Sequence, residues 1–126
     1  MARNPVTAPR GILRILWLGA VAAVMALSLL PSASPPLQAL DTLPINDTVQ
    51  HLAAYAFLAF LPALYERRAT LAGIALLLIF LGVGLEFGQR LVESRSFEVR
   101  DMTADAGGVL VGIVAGWPLR DRIRQR

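Results

Sequence analysis

Hydrophobic positions along the chain fall into four long runs that are separated by short polar stretches. Each apolar stretch is roughly 16–18 residues long, and flanking residues extend it into the ~17–25 that a membrane-spanning helix needs. A backbone in lipid must satisfy its own hydrogen bonds, so helices are the state that these runs predict. The four predicted helices cover about residues 12–30, 47–65, 70–90 and 101–117.

A soluble four-helix bundle is the competing fold for such a pattern. It requires a polar stripe along each helix, and "GIALLLIFLGVGL" in the third run has none. The pattern therefore predicts an all-α fold, a bundle of four transmembrane helices that forms a single integral-membrane domain over residues 1–126.

Helix-breaking and capping residues mark the predicted helix ends. The first run ends at Pro31, and Pro118 closes the fourth. Asn46 and Asp47 are both candidate N-caps of the second helix, and Asp101 is a candidate N-cap of the fourth. The segment "PSASPP" after the first helix is predicted to be a stiff exit from the membrane.

The first helix could instead be a signal peptide, because "SAS" at 32–34 resembles a small-residue cleavage site. Two features favour an uncleaved helix. The apolar run is long for a signal peptide, and Pro35 follows the candidate cleavage site directly.

The distribution of arginine predicts how the helices are oriented. The connection between the first and second helices has no basic residue, and the arginines of the third connection are offset by Glu93, Glu98 and Asp101. The positive-inside rule therefore places both termini and the turn between the second and third helices in the cytoplasm. The arginines of these three regions are Arg3, Arg10, Arg14, Arg67, Arg68, Arg120, Arg122, Arg124 and Arg126.

Composition supports a membrane protein. The hydrophobic fraction is 56%, above that of an ordinary soluble domain. The net charge is +3, but the arginines flank apolar runs rather than forming one basic surface, so the lipid bilayer and not nucleic acid is the expected partner. The chain has no cysteine, which excludes disulfides and thiol chemistry.

Polar residues from three helices are predicted to meet near the outer membrane boundary. At ~1.5 Å per residue they all fall within roughly 10 Å of that boundary. Carboxylates in or near lipid are costly, so they normally face the bundle interior or a wet cavity. The predicted cluster contains Asp47, His51, Tyr55, Glu86, Gln89, Arg95, Asp101 and Asp105.

Several of these residues have a simpler explanation. Glu86 could pair with Arg90 one turn on, and a backbone carbonyl could satisfy His51. Asp105 is harder to explain this way, because a second carboxylate inside the fourth helix needs a partner. Arg95, Arg100 and His51 are the candidates. A structural polar cluster and a functional site both remain open.

Glycines spaced by four residues lie on the third and fourth helices. Such spacing lets helix backbones approach closely, and we expect these glycines to pack against neighbouring helices. They are Gly84, Gly88, Gly108, Gly112 and Gly116.

The motifs of residues 44–116 resemble the VanZ-like family of small bacterial integral membrane proteins. "DTVQHLAAYAFLAF" is similar to the family's Asp-Lys-x-x-His-x-x-x-Tyr segment, and "EFGQ" is similar to its Glu-x-x-Gln. "RSFEVRD" and "DMTADAGGVLVG" resemble its Arg-to-Asp loop and the run of Asp, Asn and spaced glycines that follows. Two positions depart from the family pattern, with Thr48 in place of a frequent Lys and Asp105 in place of the usual Asn.

The resemblance implies a cell-envelope protein of the bacterial cytoplasmic (inner) membrane with a link to glycopeptide (teicoplanin) resistance, and it implies no particular reaction. We expect a binding role, in which the cluster holds a lipid headgroup, a lipid-linked cell-wall precursor or a membrane partner protein. In that role Arg95 and Arg100 would meet phosphate or carboxylate.

The alternative is an enzyme that acts on a lipid-linked substrate, with His51 and Glu86 as acid and base. No metal-ligand spacing and no catalytic motif is recognisable, so neither a metal nor another cofactor is expected. Ion transport is least favoured, because the inner halves of the last three helices have almost no polar residue.

Overall fold

The computed structural model describes residues 7–31, 33–91 and 99–124, with side chains from residue 10 to residue 122. These residues form helices and no strand. The helices are α1 (Thr7–Leu29), α2 (Pro35–Asp41), α3 (Asp47–Tyr65), α4 (Arg68–Gln89) and α5 (Val99–Arg124). All but the short α2 are long and apolar enough to cross a membrane. The prediction of an all-α fold with four helices that are long and apolar enough to span a membrane is therefore confirmed.

Contacts between distant residues show that the long helices run back and forth. Arg14 near the start of α1 and Arg120 near the end of α5 both bind Glu66, directly after α3. At the opposite end, the side chain of Gln89 in α4 binds the carbonyl of Ser28 in α1. One end of the bundle, here called the arginine-rich end, holds the starts of α1 and α4. The other, here called the acidic end, holds the starts of α3 and α5.

The tightest packing joins α3 to α5, which run parallel. A Cβ at Gly108 or Gly112 would overlap the backbone carbonyl of Leu52 or Ala56 in α3. A Cβ at Gly116 would lie 2.8 Å from the Cβ of Ala63. The two backbones therefore approach as closely as they do only because α5 presents glycine at three successive turns.

The glycines of α4 behave differently from one another. A Cβ at Gly88 would lie 3.2 Å from Leu29 Cδ2, so this glycine packs against α1. The prediction for Gly84 was wrong, because no described atom would lie within 4 Å of its Cβ. Gly82 makes the close contact instead, because a Cβ there would lie 2.8 Å from Asp105 Oδ2. Positions 82 and 84 are about 200° apart around the helix, so only one of them can face α5.

The end of α5 differs from the prediction that Pro118 closes it. The helix continues to Arg124, and α3 likewise contains Pro62. A proline removes one helical hydrogen bond, and packing elsewhere can offset that loss. Here Arg120 is buried, with 5% exposure, and its Nη2 donates to the carbonyl of Glu66 at 2.8 Å. This contact holds the turn beyond Pro118 against α3.

The connection between α1 and α3 contains the short helix α2, where the sequence predicted only a stiff exit. Prolines occupy its first two positions, where a missing N–H costs nothing. Gln50 of α3 donates to the carbonyls of Leu40 and Ile45 at 3.1 and 3.3 Å, which ties the connection to α3. The N-cap of α3 is Asn46, whose side chain accepts from the Val49 amide at 2.9 Å. Asp47, the other candidate, lies in the first turn.

Large apolar side chains cover the outside of the bundle. Ile15, Phe80 and Val114 are each exposed by more than 70%. A soluble monomer rarely exposes contiguous apolar surface on this scale, whereas lipid requires it. Helix α1 is the outermost element, with no residue of its apolar stretch buried, and the indole of Trp17 ties it to the core by donating to the Leu58 carbonyl at 2.8 Å.

Candidate polar site at the acidic end

His51 of α3 lies between two carboxylates of α5. Its Nδ1 is 2.8 Å from Asp105 Oδ1, and its Nε2 is 3.6 Å from Asp101 Oδ2. The two aspartates are four residues apart and share one face of α5, so one imidazole contacts both. An ionised carboxylate only accepts hydrogen bonds, and Nδ1–H is therefore the donor to Asp105.

Burial differs between the imidazole and the acids around it. Asp105 and Asp101 are 2% and 8% exposed, while the side chain of His51 is 22% exposed. Burying a carboxylate is unfavourable unless a partner is present, and the imidazole supplies that partner for Asp105. The result is a ring that the interior holds in one orientation while about a fifth of the side chain, 22%, stays exposed.

Helix α4 supplies the third carboxylate of the site. Glu86 is 1% exposed, and Asp105 Oδ2 lies against Gly82, one turn before Glu86. Glu86 interacts electrostatically with His51, as do Asp101 and Asp105. The absence of a side chain at Gly82 lets Asp105 fit between α3 and α4. Residues of three helices thus meet at one depth, and we call His51, Glu86, Asp101 and Asp105 the acidic cluster.

Two residues of the second predicted helix, Tyr55 and Asp47, were expected in the cluster, and they lie in different surroundings from each other. Tyr55 is 2% exposed and packs one turn deeper, in the apolar core with Leu58 and Val109. It forms the floor of the acidic cluster. Asp47 is exposed at the start of α3, and within the described ranges no hydrogen bond or ion pair joins it to His51. The place of Asp47 in the cluster therefore stays a prediction.

Gln89 also departs from its predicted place. Its amide is buried and donates to the Ser28 carbonyl at 2.9 Å. Ser28 lies in the last turn of α1, where carbonyls lack partners within the helix. Gln89 therefore caps the end of α1, a role that the sequence does not show because Ser28 lies 61 residues earlier in the chain.

The structure describes one of the two predicted basic residues. Arg100 is exposed in the first turn of α5. Arg95 lies outside the described residues. The partner of the imidazole Nδ1 is a carboxylate and not the backbone carbonyl that the simpler explanation of His51 requires.

A second polar group, missed by the sequence prediction, lies at the arginine-rich end. Arg14 binds Glu66 through two hydrogen bonds of 2.9 and 3.3 Å, and Glu66 is only 6% exposed. The guanidinium carbons of Arg120 and Arg68 lie 4.1 and 5.4 Å from the centre of the Trp117 ring. The signal that could have revealed this group is Glu66, an acid directly before Arg67 and Arg68 in a region otherwise interpreted as positive.

The arrangement of acids does not form a metal site in the described part of the chain. No group of three or more His, Asp or Glu side chains there has the geometry to hold an ion. The chemistry that the acidic cluster can offer is therefore hydrogen bonding, charge and proton transfer through His51.

Neither a protein-family model, nor a curated protein, nor a solved structure matches this chain. The resemblance to the VanZ-like family is carried by the motifs alone.

Proposed function

We propose that this chain is a VanZ-like protein of the bacterial cytoplasmic membrane whose acidic cluster binds the headgroup of a lipid-linked cell-wall precursor at the outer face. The observation that carries the proposal is the position of His51. Asp105 fixes its ring from the interior, and 22% of its side chain remains exposed at the end of the bundle. A polar group held in one orientation binds a ligand with little loss of conformational entropy.

The order of the motifs supports this assignment. His51, Glu86 and Asp101 come from three separate motifs of the VanZ-like pattern, and they meet in one cluster. Chance matches scattered along a chain have no reason to converge in space. One other matched position, Tyr55, packs one turn below the cluster.

The chemistry of the cluster favours a ligand that offers hydrogen-bond donors. Carboxylates accept hydrogen bonds, and sugar hydroxyls, amide N–H groups and ammonium groups all donate them. A cell-wall precursor carries these donors on a headgroup that a lipid holds at the membrane surface. Arg100, exposed in the first turn of α5, is available for the phosphate of the same molecule.

The orientation is part of the proposal. Arginines concentrate at the end of the bundle opposite the acidic cluster, so the positive-inside rule puts the cluster at the outer surface. Both chain termini are then cytoplasmic. A precursor that has been flipped to the outer leaflet could reach His51 along the bilayer.

Binding to a defined probe tests the proposal. The full chain in lipid nanodiscs would be titrated with a polyprenyl-diphosphate-linked disaccharide pentapeptide, with binding followed by native mass spectrometry. Asp105→Ala removes the partner that orients His51 and should weaken binding by about tenfold or more. Asp121→Ala is the matched control, because Asp121 is an exposed acid at the opposite end. Equal affinity of the wild-type chain and His51→Ala, with no product formed by the wild-type chain, would refute binding at the acidic cluster.

A second candidate function, an enzyme that acts on such a lipid-linked substrate, is favoured by the same hydrogen bond. A carboxylate on Nδ1 orients an imidazole so that Nε2 can transfer a proton, with Glu86 as the second acid-base group. The two functions differ in how the variants respond. For an enzyme, His51→Ala should abolish product formation while leaving the affinity for the precursor nearly unchanged. For a binding protein, affinity falls and no product forms in any variant.

The link to glycopeptide resistance is tested in cells. Expression of the chain in a susceptible host should raise the teicoplanin concentration that inhibits growth, and His51→Ala at equal expression should not. An unchanged inhibitory concentration with the wild-type chain would remove the link and leave the binding proposal to the nanodisc experiment.

A further inference from the structure

A shallow groove opens between α4 and α5 near the arginine-rich end. It has a volume of about 300 Å³ and is lined by Arg68, Leu71, Ala72, Ile113 and Trp117. The groove is far from the acidic cluster, at the other end of the same helices.

The groove is amphipathic along its length. Arg68 lies at its mouth, at the start of α4, while Leu71, Ala72 and Ile113 line its deeper wall. Trp117 lies between these parts, with the guanidinium of Arg68 5.4 Å from its ring centre. A cation at the membrane boundary, a Trp beside it and an apolar wall below it match the layers of a phospholipid.

The two arginines beside Trp117 differ in what they can reach. Arg120 is 5% exposed and donates to the Glu66 carbonyl, so it supports the Trp ring from the protein side. Arg68 is exposed at the mouth of the groove, where its guanidinium can reach the membrane surface. Glu66, the buried acid at this end of the bundle, pairs with Arg14 rather than with Arg68.

We propose that this groove binds one anionic phospholipid, with the phosphate on Arg68 and part of one acyl chain along Leu71, Ala72 and Ile113. Guanidinium groups bind phosphate oxygens through paired hydrogen bonds, and basic pockets between transmembrane helices bind anionic headgroups. The groove is at the lower end of ligand-pocket volumes, which fits a segment of one chain rather than a whole lipid. The bound lipid would fill the gap between α4 and α5 at the end where glycines do not bring them together.

Quenching of Trp117 by brominated lipid tests this directly. The chain contains two tryptophans, so Trp17→Phe leaves Trp117 as the reporter. In nanodiscs, brominated phosphatidylglycerol should quench Trp117 at about a tenfold lower mole fraction than brominated phosphatidylcholine, as a charge-assisted contact implies. Equal quenching by the two lipids would overturn the proposal.

Arg67 provides a matched control, because it is exposed, adjacent to Arg68 and not part of the groove. Arg68→Gln should abolish the preference for the anionic lipid. Arg67→Gln should reduce it by at most about fivefold, the effect of one charge near the surface. Equal losses in the two variants would mean general surface attraction and no site.

Native mass spectrometry of the chain with both tryptophans gives a measurement that does not depend on Trp17→Phe. One phosphatidylglycerol adduct should survive release from detergent, and Arg68→Gln should remove it. Inorganic phosphate at constant ionic strength should not displace the lipid. Displacement by phosphate would assign the site to a free anion, and a dimer without adduct would assign the groove to a second copy; either result overturns the proposal.

Discussion

His51 Nδ1 and Asp105 Oδ1 lie 2.8 Å apart and join α3 to α5 one turn above the first glycine contact between these helices. The bond closes one end of an interface that Gly108, Gly112 and Gly116 continue toward the other end. Polar pairing and close backbone packing therefore act on the same two helices, and each makes the other more effective by fixing their register.

The coupling between His51 and Asp105 should be measurable as a stabilising free energy. We expect a double-mutant cycle with His51→Ala and Asp105→Ala to give an interaction of about 1–3 kcal/mol in the free energy of unfolding. The reason is that Asp105 is almost fully buried and loses its partner in His51→Ala. Denaturation in mixed micelles measures the four free energies. Additive effects would show that the bond contributes nothing to stability.

The pair formed by Arg14 and Glu66 is the comparison for that cycle. Its geometry is similar, with Nε 2.9 Å from Oε1, but the side chain of Arg14 is 58% exposed. Exposed ion pairs contribute only ~0.2–1 kcal/mol, because water screens them. The same cycle with Arg14→Ala and Glu66→Ala should therefore give the smaller coupling, and the reverse order would contradict this reasoning.

The sequence predicts the spanning helices well because hydrophobicity and length determine them locally. The predicted second helix, 47–65, has the bounds of α3. The depth at which His51 and Asp105 meet also follows from helical rise and chain order alone. Orientation around the helix axis is harder. The GxxxG spacing points to Gly84, whereas the glycine that faces α5 is Gly82.

Contacts over long sequence separations could not be predicted. Gln89 looks like a member of the acidic cluster until α1 is seen to end beside it. The helix beyond Pro118 depends on a bond from Arg120 to Glu66, 54 residues away. In both cases a backbone carbonyl near a helix end accepts the bond, and a sequence pattern does not show which carbonyl lies nearby.

Gly112→Ala should disrupt the interface between α3 and α5. The added Cβ would overlap the carbonyl of Ala56 and lie 2.8 Å from the amide nitrogen of Phe60, and these backbone atoms cannot move without shifting a helix. We expect a loss of roughly 3 kcal/mol or more in the free energy of unfolding. The measurement is denaturation in mixed micelles.

Gly107→Ala is the control on the same helix, because no described atom lies within 4 Å of its added Cβ. It should leave stability unchanged or raise it by up to ~1 kcal/mol, since alanine favours helix over glycine. Gly84→Ala should behave like Gly107→Ala. A large destabilisation by Gly84→Ala would mean that the sequence prediction for this glycine was right after all.

Arg120→Ala should loosen the end of α5. The buried guanidinium donates to the Glu66 carbonyl and stacks on Trp117, and the turn after Pro118 depends on both contacts. Loss of about 1.4 kcal/mol of local stability would speed amide hydrogen exchange in residues 119–124 by about tenfold. Arg122→Ala removes an exposed arginine of the same turn and should leave exchange unchanged. Equal exchange rates in the two variants would show that Pro118 and not Arg120 sets the stability of this segment.

The orientation of the bundle can be tested with single cysteines, because the chain has none of its own. Leu43→Cys reports the connection at the acidic end, and Ala69→Cys reports the start of α4 at the arginine-rich end; both positions are exposed. The arginine bias predicts that a membrane-impermeant maleimide labels Cys at position 43 in intact cells. Position 69 should react only after the membrane is opened. The reverse labelling would place the acidic cluster in the cytoplasm, where a precursor in the outer leaflet could not reach His51, and would exclude the proposed binding function.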